Sequence, residues 1–232
     1  MAKRDARAQV GGRVPRGRVA ELARSTAISV VAPVRFSHRS GHWRSALLRR
    51  AVDRDGAAIP WYSYPLVDLL NQRGFEGLRV LEIGGGQSTW WWAARAEQVI
   101  TIESDAAWYA ELVAAAPDNV ELVNVPVDTE TRDTSGISRA LDGLPPFDVV
   151  VIDGHLREEC ARLTWPLLAE RGALIFDNSD GFNFQAVSAE WGAQRVDFYG
   201  YSAGSSRKTC SSVAFKETCF LFDAGAPIPS IK

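Results

Sequence analysis

From residue 79 onward, apolar runs of four to six residues alternate with stretches of helical period. The runs are Arg79–Ile83, Gln98–Glu103, 120–125, 148–152 and 173–176, and helices are expected between them near 89–95, 106–115, Ser135–Leu141, 157–168 and 182–191. A strand with one wet face alternates apolar and polar residues, whereas an unbroken run of Val, Ile and Leu is buried on both faces. Continuous apolar strands separated by helices therefore predict an α/β architecture, a doubly wound parallel sheet with helices on both sides. The last segment differs. Residues 195–201 and 212–222 are strand-like and are joined by a Ser/Gly/Lys-rich loop with no helix between them, which predicts an antiparallel hairpin closing one sheet edge.

The sequence before residue 61 has another character. Residues 1–18 mix Gly11, Gly12, Pro15 and Gly17 with arginines and are expected to be poorly ordered. Two short amphipathic helices are expected at 19–32 and 42–52, separated by Pro33 and the Ser-His-Arg-Ser-Gly segment that ends at Gly41. We therefore divide the chain into an extension, 1–60, and a main domain, 61–232. A helix is expected at 65–72, with Pro65 in its first turn and Gly74 and Gly77 ending it.

The net charge of −2 conceals an asymmetry. The first 50 residues hold 12 Lys/Arg against 2 Asp/Glu, and the remainder holds 14 against 26. The near-matching opposite charges predict that the basic arm lies against the chain's own acidic body; nucleic acid and an anionic membrane are the competing partners. Cys160, Cys210 and Cys219 are odd in number and widely spaced, which argues against a disulfide framework and a zinc knuckle and predicts a cytoplasmic location.

The densest chemical signal is Val80-Leu81-Glu82-Ile83-Gly84-Gly85-Gly86-Gln87-Ser88-Thr89, a buried strand that ends in three glycines and enters a helix at once. Glycines allow a sharp turn and close approach to a ligand, and the helix start offers unpaired N–H groups. Glu103 lies at the end of the second strand, 19 positions after Gly84, where a carboxylate can accept hydrogen bonds from ribose hydroxyls. A dinucleotide site would want Gly-x-Gly-x-x-Gly, and the sixth position here is Thr89. Glu82 beside the glycines is also ill-suited to a pyrophosphate and well suited to a cationic ligand. The alternative without a ligand is a tight strand-to-helix turn.

The stretch from Val80 to Glu103 resembles motifs I and II of the class I S-adenosylmethionine-dependent methyltransferases, and the element order over roughly 61–222 is similar to theirs. The resemblance implies a Rossmann-like seven-stranded sheet in the order 3-2-1-4-5-7-6 with strand 7 antiparallel. It implies that Gly84, Gly85, Gly86 and Ser88 border the cofactor, that Glu82 sits near its methionine end, that Glu103 binds the ribose, and that Asp128 lies near the adenine amine.

A second constellation falls on the same rim. The fourth strand ends Ile152-Asp153-Gly154-His155 and the fifth ends Phe176-Asp177-Asn178. In an open parallel sheet, ligands bind at the carboxyl ends of the strands. The pair of clusters resembles the metal-dependent catechol and caffeoyl-CoA branch of the family. That resemblance implies Mg²⁺ or another divalent cation held by Asp153, Asp177 and Asn178. That branch carries a lysine a few residues after the first Asp. Here the candidates are His155 and Arg157; arginine stays protonated, so His155 is expected to act as base or extra ligand, with Asp153 as its catalytic companion. Against this stand simpler roles: Asp153 contacting only the methionyl group, and Asp177-Asn178 forming a turn or helix cap.

Trp90, Trp91 and Trp92 are expected in the core, whereas Trp61, Tyr62 and Tyr64 are divided between core and pocket. The activity expected is O-methylation of a small polar acceptor, a sugar or natural-product hydroxyl. Its rivals are a metal-independent N-methyltransferase, an NAD-dependent oxidoreductase and a binding module that uses the basic arm. The expected partner is a small-molecule acceptor, and self-association into a homo-oligomer is left open.

Overall fold

The computed structural model of the protein describes residues 17–227, so the expectation of disorder over 1–18 falls almost wholly outside it. Three helices, α1 (Arg18–Arg39), α2 (His42–Leu48) and α3 (Tyr64–Leu70), precede the sheet. Then follow β1 (Arg79–Ile83), α4 (Gln87–Ala93), β2 (Gln98–Glu103), α5 (Ala106–Val113), β3 (Val120–Asn124), α6 (Ser135–Leu141) and β4 (Phe147–Ile152). The chain ends with α7 (Arg157–Thr164), β5 (Leu168–Phe176), α8 (Phe184–Glu190), β6 (Gln194–Tyr201) and β7 (Lys208–Phe215).

The seven strands form one sheet in the order 3-2-1-4-5-7-6, as the resemblance implies. β1 to β5 are parallel, and β7 runs antiparallel to both β5 and β6. Both faces are dry. On one, Val80, Val99, Val149, Val151 and Ile175 pack under α3, Trp91, Trp92 and Phe75. On the other, Leu81, Ile83, Ile100, Val150, Ile152 and Phe176 pack under Ile137, Cys160, Ala161 and Phe184. Successive residues of β4 thus feed opposite cores, which is why its run carries no polar alternation.

Topology reverses between β1 and β4. β1 pairs with β2 on one side and β4 on the other, and the connections leave in opposite directions. At this point the two strand ends nearly touch. Gly84 has φ +92°, and a Cβ there would lie 2.5 Å from the Gly154 nitrogen and 2.6 Å from its Cα. Gly85 is hemmed by Leu112 and Thr101, whereas a Cβ on Gly86 would meet nothing within 4 Å.

Several boundaries differ from the sequence reading. α1 continues through Pro33 to Arg39. No residue of α1 is buried, so the carbonyl that lost its N–H partner can turn to water. The last turn of α1 reaches inward, where Phe36 meets Tyr64 edge-on at 5.4 Å, and the residues that carry the start of the basic arm lie outside the described ones. α7 stops at Thr164 because Pro166 follows in a short 3-10 turn. β7 begins four residues before the expected 212, because its hydroxyls have partners inside the sheet: Ser211 Oγ donates to Asp177 and Ser212 Oγ to Asp197. Among the described residues no helix is long and apolar enough to cross a membrane.

The contrast between two glycines gives a direct test. Gly84→Ala should lower stability by about 2 kcal/mol or more in urea titration, since it combines a left-handed φ with a backbone clash. Gly86→Ala, extended and facing open space, should stay within roughly 0.5 kcal/mol of the parent.

Candidate active site

The amides of the three-glycine loop are all satisfied internally. Gly84 N donates to Ile102 O at 2.8 Å, Gly85 N to Glu103 Oε2 at 2.9 Å and Gly86 N to Thr89 Oγ1 at 3.0 Å. The loop therefore presents its open Gly86 edge, and not a nest of free glycine N–H groups, to the space above it. Thr89, which stands where a dinucleotide fold needs glycine, also donates to Glu82 Oε2 at 2.5 Å, and Thr101 donates to the same oxygen at 3.0 Å.

Glu82 accordingly lies beneath the loop as its brace. It is wholly buried and absent from the lining of the cavity above. Its other oxygen, Oε1, is buried without a hydrogen-bond partner among the described residues. Burial pushes the Glu82 carboxyl up from 4.5 to about 7, against the opposing hydrogen bonds of Ser88, Thr89 and Thr101. A proton on Oε1 leaves no buried charge unanswered there.

Glu103, 6% exposed, borders the cavity. Its Oε1 accepts from Ser104 N at 2.7 Å and Asp105 N at 2.8 Å. With Gly85 N on Oε2, three of the roughly four acceptor positions of a carboxylate are used, leaving about one for a ligand hydroxyl rather than two. Asp105 caps α5 by accepting from Ala107 N and Trp108 N. That cap carries Trp108 over the loop, where its Nε1 donates to Gly85 O at 2.8 Å.

The cavity above the loop has a volume of about 690 Å³; Gly86, Ser88, Glu103, Trp108, Asp153 and His155 are among its walls. A second cavity of about 440 Å³ adjoins it, bounded by Trp61, Asp153, Asp177, Asn178 and residues 202–205. Asp153 and Trp61 border both. Trp61 forms one wall of the smaller cavity, its Nε1 donating to Ala203 O at 2.7 Å, and the extension supports the opposite loop, where Gly204 N donates to His42 Nδ1 at 3.2 Å. The ambiguous aromatics thus separate, with Trp61 facing the pockets while Tyr62 and Tyr64 enter the core beside Trp91 and Trp92.

Asp153, Asp177 and Asn178 are brought together, but around a side chain. The Arg157 guanidinium lies among them, with Nη2 2.8 Å from Asp153 Oδ1 and Nη1 2.9 Å from Asn178 Oδ1. Asp177 is 3% exposed and accepts from Ser211 Oγ at 2.5 Å. Both carboxyls are raised above the ordinary range by burial; their mutual repulsion raises Asp153 further, and Arg157 opposes the shift in each. Among the described residues no group of three His, Cys, Asp or Glu side chains is placed to hold a metal ion. Arginine engages Asp153 Oδ1 and Asn178 Oδ1 and a serine engages Asp177 Oδ1, and a guanidinium seated among these groups does not fit a divalent cation beside it.

His155 is exposed and 3.1 Å from Ser104 Oγ, on the wall of the larger cavity only. Asp128 is exposed and turned onto its own loop, where it accepts from Glu130 N at 2.8 Å; it does not line the cavity, and Thr129 and Arg132 do. Trp108, Ser104 and Arg132 are among the wall residues that the sequence did not single out. The N-cap pattern at Asp105 was the available signal for Trp108.

No family model and no curated protein matches the chain. Solved structures do. Precorrin-6y C5,15-methyltransferase from Geobacter metallireducens GS-15 is 18% identical with a TM-score of 0.50, over 66% of this chain and 87% of that one. The O-methyltransferase TomG from Streptomyces achromogenes, involved in tomaymycin synthesis and solved with S-adenosylmethionine, is 19% identical with a TM-score of 0.45, over 78% and 87%. An O-methyltransferase from Bacillus cereus in complex with S-adenosylhomocysteine is 13% identical with a TM-score of 0.44, over 88% and 93%. At such identities the likeness establishes the fold, and the first of these carries it.

The raised Glu82 carboxyl makes stability depend on pH. Between about 4.5 and 7 the folded chain keeps a proton that the unfolded chain has released, so stability falls as pH rises through that window. Glu82→Gln keeps an acceptor for Thr89 and Thr101 and cannot ionise. It should flatten this part of the profile and gain on the order of 3 kcal/mol relative to the parent above pH 7. Asp153 and Asp177 shift in the same direction, so a residual slope should remain. Urea titrations at pH 5 and pH 8 read both effects.

Proposed function

We propose that the chain is an S-adenosylmethionine-dependent methyltransferase acting on a hydroxyl of a small polar acceptor. The observation that carries this reading is the inward-facing loop. With Gly84, Gly85 and Gly86 N–H all committed, the loop is poorly suited to a pyrophosphate, while its open Gly86 edge and Glu103 on the adjacent strand suit a phosphate-free nucleoside. This favours the sulfonium nucleoside over NAD. S-adenosylmethionine supplies a methyl group on a cationic sulfur that leaves as a neutral thioether.

The residues divide the remaining work. Glu103 offers its free acceptor position to the ribose, and Trp108 covers the loop beside it. The smaller cavity, walled by Ser202, Ser205, Asn178 and two carboxyls, receives the acceptor through hydrogen bonds rather than apolar area. Asp153 stands where the cavities meet, with Oδ1 held by Arg157. As the acceptor oxygen gains the methyl group, its proton passes to the Asp153 carboxylate, whose raised affinity for protons suits a base working near neutrality. His155, on the cofactor side alone, holds Ser104 and serves the pocket wall rather than the acceptor.

Isothermal titration should show S-adenosylmethionine binding and no NAD binding. Gly86→Ala and Glu103→Ala should each weaken it roughly tenfold or more, the scale of one lost charge-assisted hydrogen bond or a blocked approach. Transfer of labelled methyl to a panel of hydroxylated small molecules should fall about a hundredfold or more in Asp153→Asn with cofactor binding retained. Tight NAD binding, or full transfer by Asp153→Asn, would sink the corresponding half of the proposal.

A further inference from the structure

The Arg157 guanidinium has five N–H donors and makes four hydrogen bonds and one ion-pair contact with them. Nε donates to Gly154 O at 3.0 Å; Nη1 donates to Asp177 O at 2.5 Å and Asn178 Oδ1 at 2.9 Å; Nη2 donates to Asp153 O at 3.0 Å and contacts Asp153 Oδ1 at 2.8 Å. All five acceptors are oxygens, three from backbone carbonyls, one from an amide and one from a carboxylate. A cage of carbonyl and carboxylate oxygens is the environment that hard divalent cations select. The Phe182 ring closes the cation's remaining side, with its centroid 5.1 Å from Cζ.

The surroundings are shaped to this arrangement. Arg157 is the first residue of α7, four positions after Asp153, so one short turn returns its side chain beneath the end of β4. Leu156, just before it, has φ +50°, and Asn178 across from it has φ +53°. The left-handed turn at Asn178 lets one amide side chain serve two partners, Oδ1 accepting from Arg157 and Nδ2 donating to Thr209 Oγ1 at 2.8 Å. The Arg157 side chain is 13% exposed, so its charge is answered locally and little by solvent.

We propose that Arg157 is the built-in cation of this site. It fills the oxygen cage that Asp153, Asp177 and Asn178 would otherwise offer to a divalent ion, and it fixes Asp153 at the junction of the two cavities without a metal. A second cation cannot enter while the guanidinium stays, because it would have to displace the four hydrogen bonds and the ion pair and face a positive charge at contact distance. Lysine cannot substitute, since a point ammonium has three donors and no planar fork. The positioning of Asp153 matters only under the methyl-transfer reading. The exclusion of metal does not depend on it.

Mn²⁺ titration of the full chain, without cofactor or acceptor and followed by electron paramagnetic resonance, tests the exclusion by itself. The native chain should leave Mn²⁺ free at micromolar concentrations. Arg157→Ala should take up about one Mn²⁺ per chain, and millimolar Mn²⁺ should raise its melting temperature by several degrees while leaving the native chain unmoved. Arg157→Gln keeps more of the stem packing and serves where the alanine variant does not fold. Stoichiometric Mn²⁺ uptake by the native chain that disappears in Asp177→Asn overturns the proposal, and so does a folded Arg157 variant that gains no metal. Neither result bears on whether S-adenosylmethionine binds.

Discussion

Everything above the sheet depends on how closely two backbones pass at the ends of β1 and β4. Gly84 and Gly154 lie in mutual contact; Gly84 has no room for a side chain, and a Cβ on Gly154 would press to 3.2 Å from Gly84. Because the chain leaves β1 toward β2 and leaves β4 toward β5, a crevice opens where these strands diverge. The larger cavity sits there. Its floor is backbone, so a ligand can come close to the strand ends, and the side chains that define its chemistry enter from neighbouring strand ends instead.

Three acids stand at or near the ends of adjacent parallel strands: Glu82 in β1, Asp153 after β4 and Asp177 after β5. Glu82 and Asp177 are buried, Asp153 is partly exposed at the cavities, and each is answered by different chemistry. Two threonine hydroxyls hold one oxygen of Glu82 and leave the other for a proton. Asp177 receives a serine hydroxyl from β7. Of the three, Asp153 is the one ion-paired to Arg157. Burial raises all three carboxyls, and the Arg157 charge offsets part of that rise for Asp153 and Asp177. The three groups thus have distinct tasks although their residue types are nearly the same: Glu82 braces the loop, Asp177 ties β5 to β7, and Asp153 faces the cavities.

Sequence patterns were most legible where local physics decides. β1, β2 and α6 begin and end at the expected residues, because continuous apolar character and helical period are properties of contiguous stretches. Glu103 and the glycine loop met as expected because both are fixed to neighbouring strand ends. Boundaries moved where a distant partner intervenes. The polar start of β7 read as loop because the acceptors of Ser211 and Ser212 lie on β5 and β6. Pro33 read as a break because nothing local says whether the freed carbonyl meets water or protein. Asp128 read as a cavity residue, but the amides of Glu130 and Thr131 hold its side chain on its own loop.

The amino-acid order alone determined the doubly wound sheet, its antiparallel closing hairpin, and the rim on which Gly86, Glu103, Asp153, Asp177 and Asn178 gather. Strand burial and the rule that parallel strands deliver their carboxyl ends to one side require no more than that. The direction in which each side chain points was decided only in three dimensions. Glu82 turned down to the threonines, Trp61 turned out while Tyr62 turned in, and Arg157 took the place expected of a metal. Sequence spacing says which residues share a neighbourhood. Which of several donors fills a given oxygen cage depends on distances between segments far apart in the chain, and those exist only once the sheet has closed.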